Sequence, residues 1–449
     1  MGQAPRASVI GTQVGFIPFG RRCPVVRILV IGGGGREHAL LWKLMQSPRV
    51  TKVYCTPGNG GMGAHAVTPP ISPTDVESLV RFARGNQIDL TVVGPEASLM
   101  AGVVDAFERE GLVVFGPRKS AARVEGSKRF AKELMEKYGV PTGRYRAFTD
   151  PEAAIRYIRE QGAPIVVKAD GLAAGKGVIV ARTLDEAEKA VEDLMRSRTF
   201  GKAGEEIVVE EYLEGEEISL MAFVDGETVR PMVPAQDHKP VFDGDRGPNT
   251  GGMGAYSPVP QISEERIRQI VQEILEPMAR GMEQEGLRYR GVLYAGLMMT
   301  DAGPKVIEFN ARFGDPETQV VLPRLDSDLA EILSAVAEGR LQEISIRWKP
   351  EASLCVVMAS EGYPGDVVKG KKIRGVPAAT GETMVFHAGT SREEGALITA
   401  GGRVLGVTAL GADLQSAREA AYRSVEAIGF EGAHYRKDIG ARGVKARQI

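Results

Sequence analysis

The residues with the clearest chemistry lie in the run Lys305-Val306-Ile307-Glu308-Phe309-Asn310-Ala311-Arg312-Phe313-Gly314-Asp315-Pro316-Glu317-Thr318-Gln319. Its first half alternates apolar and polar residues as a half-buried strand does, and it runs into Gly-Asp-Pro, a turn and helix-start signal. Side chains two apart on a strand share a face. Glu308 and Asn310 therefore point the same way and offer hard oxygen ligands suited to Mg²⁺ or Mn²⁺. On the same register Arg312 projects beside them, where its planar fork could hold a carboxylate or a phosphoryl group next to the metal. That chemistry is the movement of phosphate onto an acid. On spacing alone, a charged strand end with Arg312 paired to Glu308 or Asp315 accounts for the same residues equally well.

Several elements must position these groups. From Arg27 to about Glu125, the short β-branched runs Arg27 to Ile31, Lys52 to Cys55, Ile88 to Val93 and Leu112 to Phe115 alternate with helical segments. That pattern predicts a doubly wound parallel sheet, whose ligands bind at the carboxyl ends of the strands. A helix around Ser127 to Tyr138 leads into a small unit from about Arg144 to Leu213. There the strands Ile165 to Lys168 and Gly177 to Ala181 flank a glycine-rich turn, and the whole reads as a mobile lid. A larger unit follows to about Gly339, with hairpins at Asp225-Gly226 and Asp301-Ala302-Gly303 and a helix near Ile262 to Glu285. The stretch from about Ile346 to Ile449 reads as a β-rich terminal domain with a helix at Leu414 to Ile428. The predicted class is thus multidomain, α/β and α+β.

At 449 residues the chain exceeds what one core usually supports. A formal charge of −2, from 56 basic and 58 acidic residues, argues against the broad basic surface of a nucleic-acid binder. The three cysteines, Cys23, Cys55 and Cys355, are too widely separated for a disulfide framework or metal-ligand spacing, which points to a reducing cytosol. Apolar runs are short and interrupted, so no membrane helix is predicted and the expected location is cytoplasmic. Residues 1–26 hold Arg6, Arg21 and Arg22 but no acid. With Gly and Pro throughout and little Ser, they are expected to be a disordered extension or an over-long start, with Val25 or Val26 the true beginning, rather than a transit peptide.

The run Arg312 to Gln319 is very similar to the signature of the glycinamide ribonucleotide synthetase family of the ATP-grasp superfamily. Gly32-Gly33-Gly34-Gly35-Arg36-Glu37-His38, Val93-Gly94-Pro95-Glu96, Glu125-Gly126-Ser127-Lys128, Lys168 to Gly177, Gln236-Asp237-His238-Lys239 and Pro248 to Gly254 match it in order. The resemblance covers about residues 27 to 449. It implies an extension at 1–26, a substrate-binding domain at 27–125, an ATP-grasp central domain at 126–143 and 214–345, its lid at 144–213, and a terminal domain at 346–449. The implied reaction joins glycine to 5-phospho-β-D-ribosylamine with ATP, through glycyl phosphate, in a cytoplasmic enzyme expected to be a monomer. Glu308 and Asn310 are implied metal ligands. Lys128, Lys168 and the lid residues Gly175, Lys176 and Gly177 would meet the ATP phosphates. Glu210, Glu211 and Leu213 would read adenine, and Glu217, or its neighbour Glu216, the ribose. Gly34, Gly35, Arg36, Glu37, Gly58, Asn59 and Glu96 would line phosphoribosylamine, Arg312 would steady the acyl phosphate, and Asp237 would take the glycine ammonium. Two departures stand out: Pro240 follows Asp-His-Lys where many relatives carry a basic residue, and Leu293 to Thr300 brings no further acid to the metal.

Other readings have their own discriminators. The glycine turn at 32–35 puts Glu37 or His38 where the third glycine of a dinucleotide fingerprint belongs, which opposes a nicotinamide oxidoreductase. Gly171 to Gly177 has the wrong spacing for a Walker loop and lies between two strands. A different ATP-grasp ligase or carboxylase would release ADP without glycine. A non-catalytic nucleotide-binding module would have no need for metal ligands, lysines and lid together. No histidine cluster, serine elbow or partnered cysteine suggests covalent catalysis.

Overall fold

The computed structural model describes residues 26–171, 177–197, 201–377 and 382–446. The expected extension, apart from Val26, and the lid residues Gly175 and Lys176 lie outside them.

The first unit is a parallel sheet of Val26–Gly32, Val50–Pro57, Leu90–Val93 and Val114–Phe115, with the second strand at one edge and the first beside it. Every residue of Leu90–Val93 is buried. This is the unbroken apolar run expected of a parallel strand covered on both faces. The first strand turns at once into the helix Gly35–Leu44. Among the described residues Cys55 and Cys355 are both buried and free of disulfides.

The lid is an antiparallel sheet in the order Tyr145–Phe148, Ile207–Glu211, Ile165–Ala169, Val178–Ala181, and it has its own core around Ile158, Val167, Val191, Leu194 and Val209. The central sheet pairs Thr228–Pro231, Glu216–Asp225, Arg290–Thr300 and Gly303–Asn310. Its apolar face shares one core with the first unit: Leu29, Ile31 and Phe107 cluster with Leu220, Leu293, Val306 and Phe309.

The terminal sheet departs from the sequence expectation. Its order is Gln236–Asp237, Gly254–Ser257, Ala352–Ala359, Arg403–Gly411, Thr383–His387, with the helix Leu414–Ala427 against it. Its first two strands come from the stretch assigned to the central unit. Asp237 is thus delivered to the site by the edge of the terminal sheet. No helix among the described residues is long and apolar enough to cross a membrane.

Candidate active site

The strand Gly303–Asn310 builds the centre of the site, and its regular alternation is broken once. Gly296 pairs with Glu308 but Leu297 pairs with Val306, so Ile307 is the extra residue of a bulge. A bulge re-aims the residues beyond it. Here the carbonyl of Ile307 turns to accept the Lys168 ammonium at 3.1 Å, while Glu308 and Asn310, both past the bulge, keep a common face. The strand ends at Asn310, so Arg312 does not continue its register as expected; it enters from the turn after the strand. Neither Glu308 nor Asp315 is its partner. It pairs with Glu125 at 2.9 Å and Glu96 at 3.4 Å, and donates to Asn310 Oδ1 at 3.1 Å.

These groups line a cavity of about 400 Å³. At one end Ala131, Met135, Val166, Val178, Val180, Met298 and Ile307 make an apolar slot beside Tyr212 and Leu213, the shape of a site for a flat base. The Glu211 N–H is already donated to Arg144 O at 2.9 Å, whereas Leu213 lies past the strand end and its backbone makes no hydrogen bond among the described residues. The Glu211 side chain is also engaged, bridging Lys305 and Arg144 at 2.8 Å each. Burial works against its charge, but those two partners hold its carboxyl down at about 2.

Three lysines converge where phosphates would lie. Ser127 caps the helix Lys128–Lys137 by accepting from Phe130 N–H at 3.1 Å, which places Lys128 in the first turn and Lys132 one turn on. Lys168 and Lys132 both reach Glu210 Oε2, at 2.9 and 2.8 Å, in a nearly dry environment. Glu210 is thus an ion-pair hub: both ammonium groups lie on its Oε2, while its buried Oε1 makes no hydrogen bond among the described residues. Desolvation lowers Lys128 and brings Lys132 down to about 8, with neighbouring carboxylates opposing. Lys132 has the clearest missed signal, four residues after Lys128 on the same helical face. Gly177 lines the cavity from the lid and accepts from Ala169 N–H at 2.8 Å.

The metal assignment can be tested on Glu308. Its carboxylate faces the cavity and makes no hydrogen bond among the described residues. Burial opposes its charge, yet Lys239, Lys168, Lys128 and Arg312 hold it below the ordinary carboxylate range. Among the described residues no group of three His, Cys, Asp or Glu side chains is assembled for a metal. One ionised carboxylate and one amide oxygen fit a Mg²⁺ that takes its remaining ligands from phosphates and water. Gly296 is opposite Glu308, so the neighbouring strand adds no acid.

Beside this centre, Glu217 lines the cavity and pairs with Lys239, whereas Glu216 turns away to Gln236 at 3.0 Å. Of the two acids, Glu217 is the one that faces the cavity. Burial raises Asp237 to about 8, with Lys239 opposing and Glu317 and Glu217 adding to the rise. Behind it Glu317 is hydrogen-bonded by Tyr294 and Ser219. Pro240 does not line the cavity; its carbonyl accepts from Arg436 at 3.1 Å.

The far end is built around the glycine turn. A Cβ on Gly33 would meet Gly58 O at 2.4 Å, so the two turns can lie this close only without a side chain there. A helix start after a glycine turn offers backbone N–H groups to a phosphate, and two of them are engaged here by protein carboxylates. Glu37 Oε2 accepts from Gly34 N–H at 2.6 Å and Asp315 Oδ2 from Arg36 N–H at 3.2 Å, while the Gly33 and Gly35 N–H groups make no hydrogen bond among the described residues. Asn59 donates to Gly33 O and His387 O at 2.9 and 2.8 Å, tying turns together instead of facing the cavity. Arg36 and Glu96 do line it, 3.8 Å apart, and Arg36 also donates to Phe313 O at 2.8 Å. Glu125, Asp315 and Arg403 complete this end; the first two stand within matched motifs, while nothing local marks Arg403.

Known proteins share this architecture. Family models described as phosphoribosylglycinamide synthetase match in order: the N domain over residues 26–125, the ATP-grasp (A) domain over 126–318 and the C domain over 353–442. A phosphoribosylamine–glycine ligase from Halalkalibacterium halodurans is 55% identical over 424 residues, covering 94% of this chain and 99% of the relative. One from Pseudomonas aeruginosa is 51% identical over 423 residues, covering 93% and 98%. The crystal structure of the Thermotoga maritima phosphoribosylamine–glycine ligase superposes with a TM-score of 0.81 at 34% identity, over 92% of this chain and all of that one. A biotin carboxylase from Campylobacter jejuni, at TM-score 0.71 and 16% identity over 91% and 92% of the two chains, shares the fold alone.

Proposed function

The chain belongs to the phosphoribosylglycinamide synthetase family, and from that premise we propose how its site performs the reaction. It is an ATP-dependent carbon–nitrogen ligase. Glycine and 5-phospho-β-D-ribosylamine become glycinamide ribonucleotide, with release of ADP and phosphate, through glycyl phosphate in the second step of de novo purine synthesis.

A glycine carboxylate oxygen attacks the γ-phosphorus in line as the bond to ADP breaks. The ribosylamine nitrogen then adds to the acyl carbon, phosphate leaves with the bonding pair, and the nitrogen sheds a proton. Activation is needed because a free carboxylate is a poor electrophile. Glu308 and Asn310 would hold Mg²⁺ or Mn²⁺, which would supply charge neutralisation at the phosphates. Lys128 and Lys168 add fixed positive charge there, and Lys132 keeps Glu210 from cancelling it. The Leu213 N–H reads adenine and Glu217 accepts from the ribose. Arg312, held by Glu125, steadies the acyl phosphate. Asp237 takes the glycine ammonium, whose arrival supplies the cation that this buried carboxyl lacks. Arg36 and Glu96 meet the ribosylamine, and lid closure keeps water from the acyl phosphate.

The observation that carries this reading is the Glu308 carboxylate, held ionised and without a hydrogen bond among the described residues, facing a cavity ringed by Lys128, Lys168, Lys239 and Arg312. The same proposal keeps the division into first, central, lid and terminal units, with the terminal unit drawing in Gln236–Asp237 and Gly254–Ser257. It also takes the enzyme as a cytoplasmic monomer acting on small molecules; the near-balanced charge of −2 argues against nucleic acid as a partner. Purified protein with Mg-ATP and freshly prepared ribosylamine should release ADP only with glycine, matched by glycinamide ribonucleotide in the mass spectrum. ADP release indifferent to glycine would overturn the substrate assignment.

A further inference from the structure

Arg403 opens the strand Arg403–Gly411 of the terminal sheet and reaches into the cavity from outside the ATP-grasp core. Its Nη1 donates to Asp315 O at 2.7 Å and Gly251 O at 2.5 Å, and lies 3.3 Å from Asp315 Oδ1. Both partners lead further. Asp315 accepts from Arg36 N–H, at the start of the first helix, and from Gln319 at 2.8 Å. The turn holding Gly251 returns to the site through Thr250, whose N–H and hydroxyl both donate to Lys239 O, at 2.8 and 2.7 Å. One guanidinium therefore joins the terminal sheet, the turn after Arg312, the glycine turn of the first domain and the Lys239 segment. Planar, always charged and able to donate in several directions, Arg suits such a junction as Lys does not.

We propose that Arg403 is a positioning residue for ligation, setting the ribosylamine end of the cavity from the terminal domain. Its direct partners, Asp315 and the Gly251 turn, lie at this end and none borders the adenine slot at Tyr212 and Leu213; only the Lys239 segment, one step removed, reaches toward Glu217. The inference rests on the reading of that end as the ribosylamine site. It makes the terminal sheet part of the catalytic apparatus: without this contact the Gly251 turn and the terminal sheet lose their link to Asp315 and, through it, to the Arg36 turn.

Gly251 gives a way to disturb Arg403 without removing its charge. A Cβ there would lie 3.0 Å from Arg403 Cζ and 3.1 Å from Nη2, at a backbone conformation that alanine can adopt. The movable partner is the end of a flexible side chain, so the fold should tolerate Gly251→Ala. The test compares full-length wild type with Arg403→Met, Arg403→Lys, Gly251→Ala and the Arg403→Met/Gly251→Ala double variant. The readouts are thermal melting, kcat and KM for each substrate.

Arg403→Met should raise KM for ribosylamine by about tenfold or more, equivalent to one lost charged hydrogen-bond network, and leave KM for ATP within about twofold. Arg403→Lys should recover part of the loss. Gly251→Ala should shift the same constant less, and add nothing in the Arg403→Met background. If Arg403→Met does not fold, Arg403→Lys and Gly251→Ala carry the same comparison. A normal ribosylamine KM in folded variants would overturn the proposal, as would equal rises for ATP and ribosylamine. Wild-type ADP release that ignores glycine would instead overturn the underlying reading.

Discussion

The two ends of the cavity carry charge in opposite ways. At the nucleotide end Lys132 and Lys168 share one carboxylate oxygen of Glu210, while Lys128 lies among Glu308, Asp170 and Glu210 without an ion pair among the described residues. At the ribosylamine end the three guanidinium groups of Arg36, Arg312 and Arg403 are paired among Glu37, Glu96, Glu125 and Asp315. The first end leaves the Lys128 ammonium unpaired among the described residues, available to a bound polyanion. The second is neutralised before any substrate arrives, so its contribution is geometry. Their construction differs too. The nucleotide end comes from the lid, the central sheet and one helix, whereas the other takes side chains from the first, central and terminal units.

Glu308 stands between the ends, and its loss should have the largest effect. Glu308→Ala should lower kcat by about 10³-fold, since removing a metal-held phosphoryl contact forfeits several kcal/mol, while melting stays near wild type. Normal turnover would refute the metal assignment. Next comes the paired lattice itself. Glu125 is pulled upward by burial with Arg312 opposing, and Glu125→Ala leaves that guanidinium short of its nearest partner. A loss of about 3 kcal/mol in denaturant-induced unfolding is expected, together with a kcat defect. An unchanged midpoint would show that the lattice is not cohesive.

The Asp237 carboxyl adds a pH dependence. Because its folded value is raised to about 8, the native state keeps a proton that the unfolded chain has released, so its contribution to stability falls as pH rises from about 4 to about 8. The carboxylate form is the one that pairs with an ammonium. KM for glycine should therefore fall between about pH 6 and pH 8 in the wild type and be flat in Asp237→Asn. A flat wild-type profile would contradict the assigned role. Smallest is the effect at the adjacent acids: Glu217→Gln should raise KM for ATP several-fold, and Glu216→Gln should alter it by less than about twofold, because Glu216 bonds Gln236 and Gln261 away from the cavity. Equal effects would break the ribose assignment.

Much of the nucleotide end was legible because its side chains sit at local spacings. Glu308 and Asn310 share a strand face, Lys128 follows a capping serine, and Lys168 closes an apolar strand. The bulge at Ile307 had no signal, since no glycine marks it and it arises from pairing with a strand several residues away. The ribosylamine end was less readable for a physical reason. Its defining contacts join Arg36 to Phe313, Asn59 to His387 and Arg403 to Gly251, across distances in sequence that periodicity cannot report. The glycine turn illustrates the limit: glycines before a helix mark a tight turn with N–H donors, but not that Glu37 and Asp315 each accept from one of them.

The most direct test of a two-ended site is a crossed pair of KM measurements, for ATP and for ribosylamine, in Lys132→Met and Arg403→Met. The account predicts that Lys132→Met raises only the ATP constant, by about tenfold, and Arg403→Met only the ribosylamine constant. Both constants rising together in both variants would show one undivided site and contradict it.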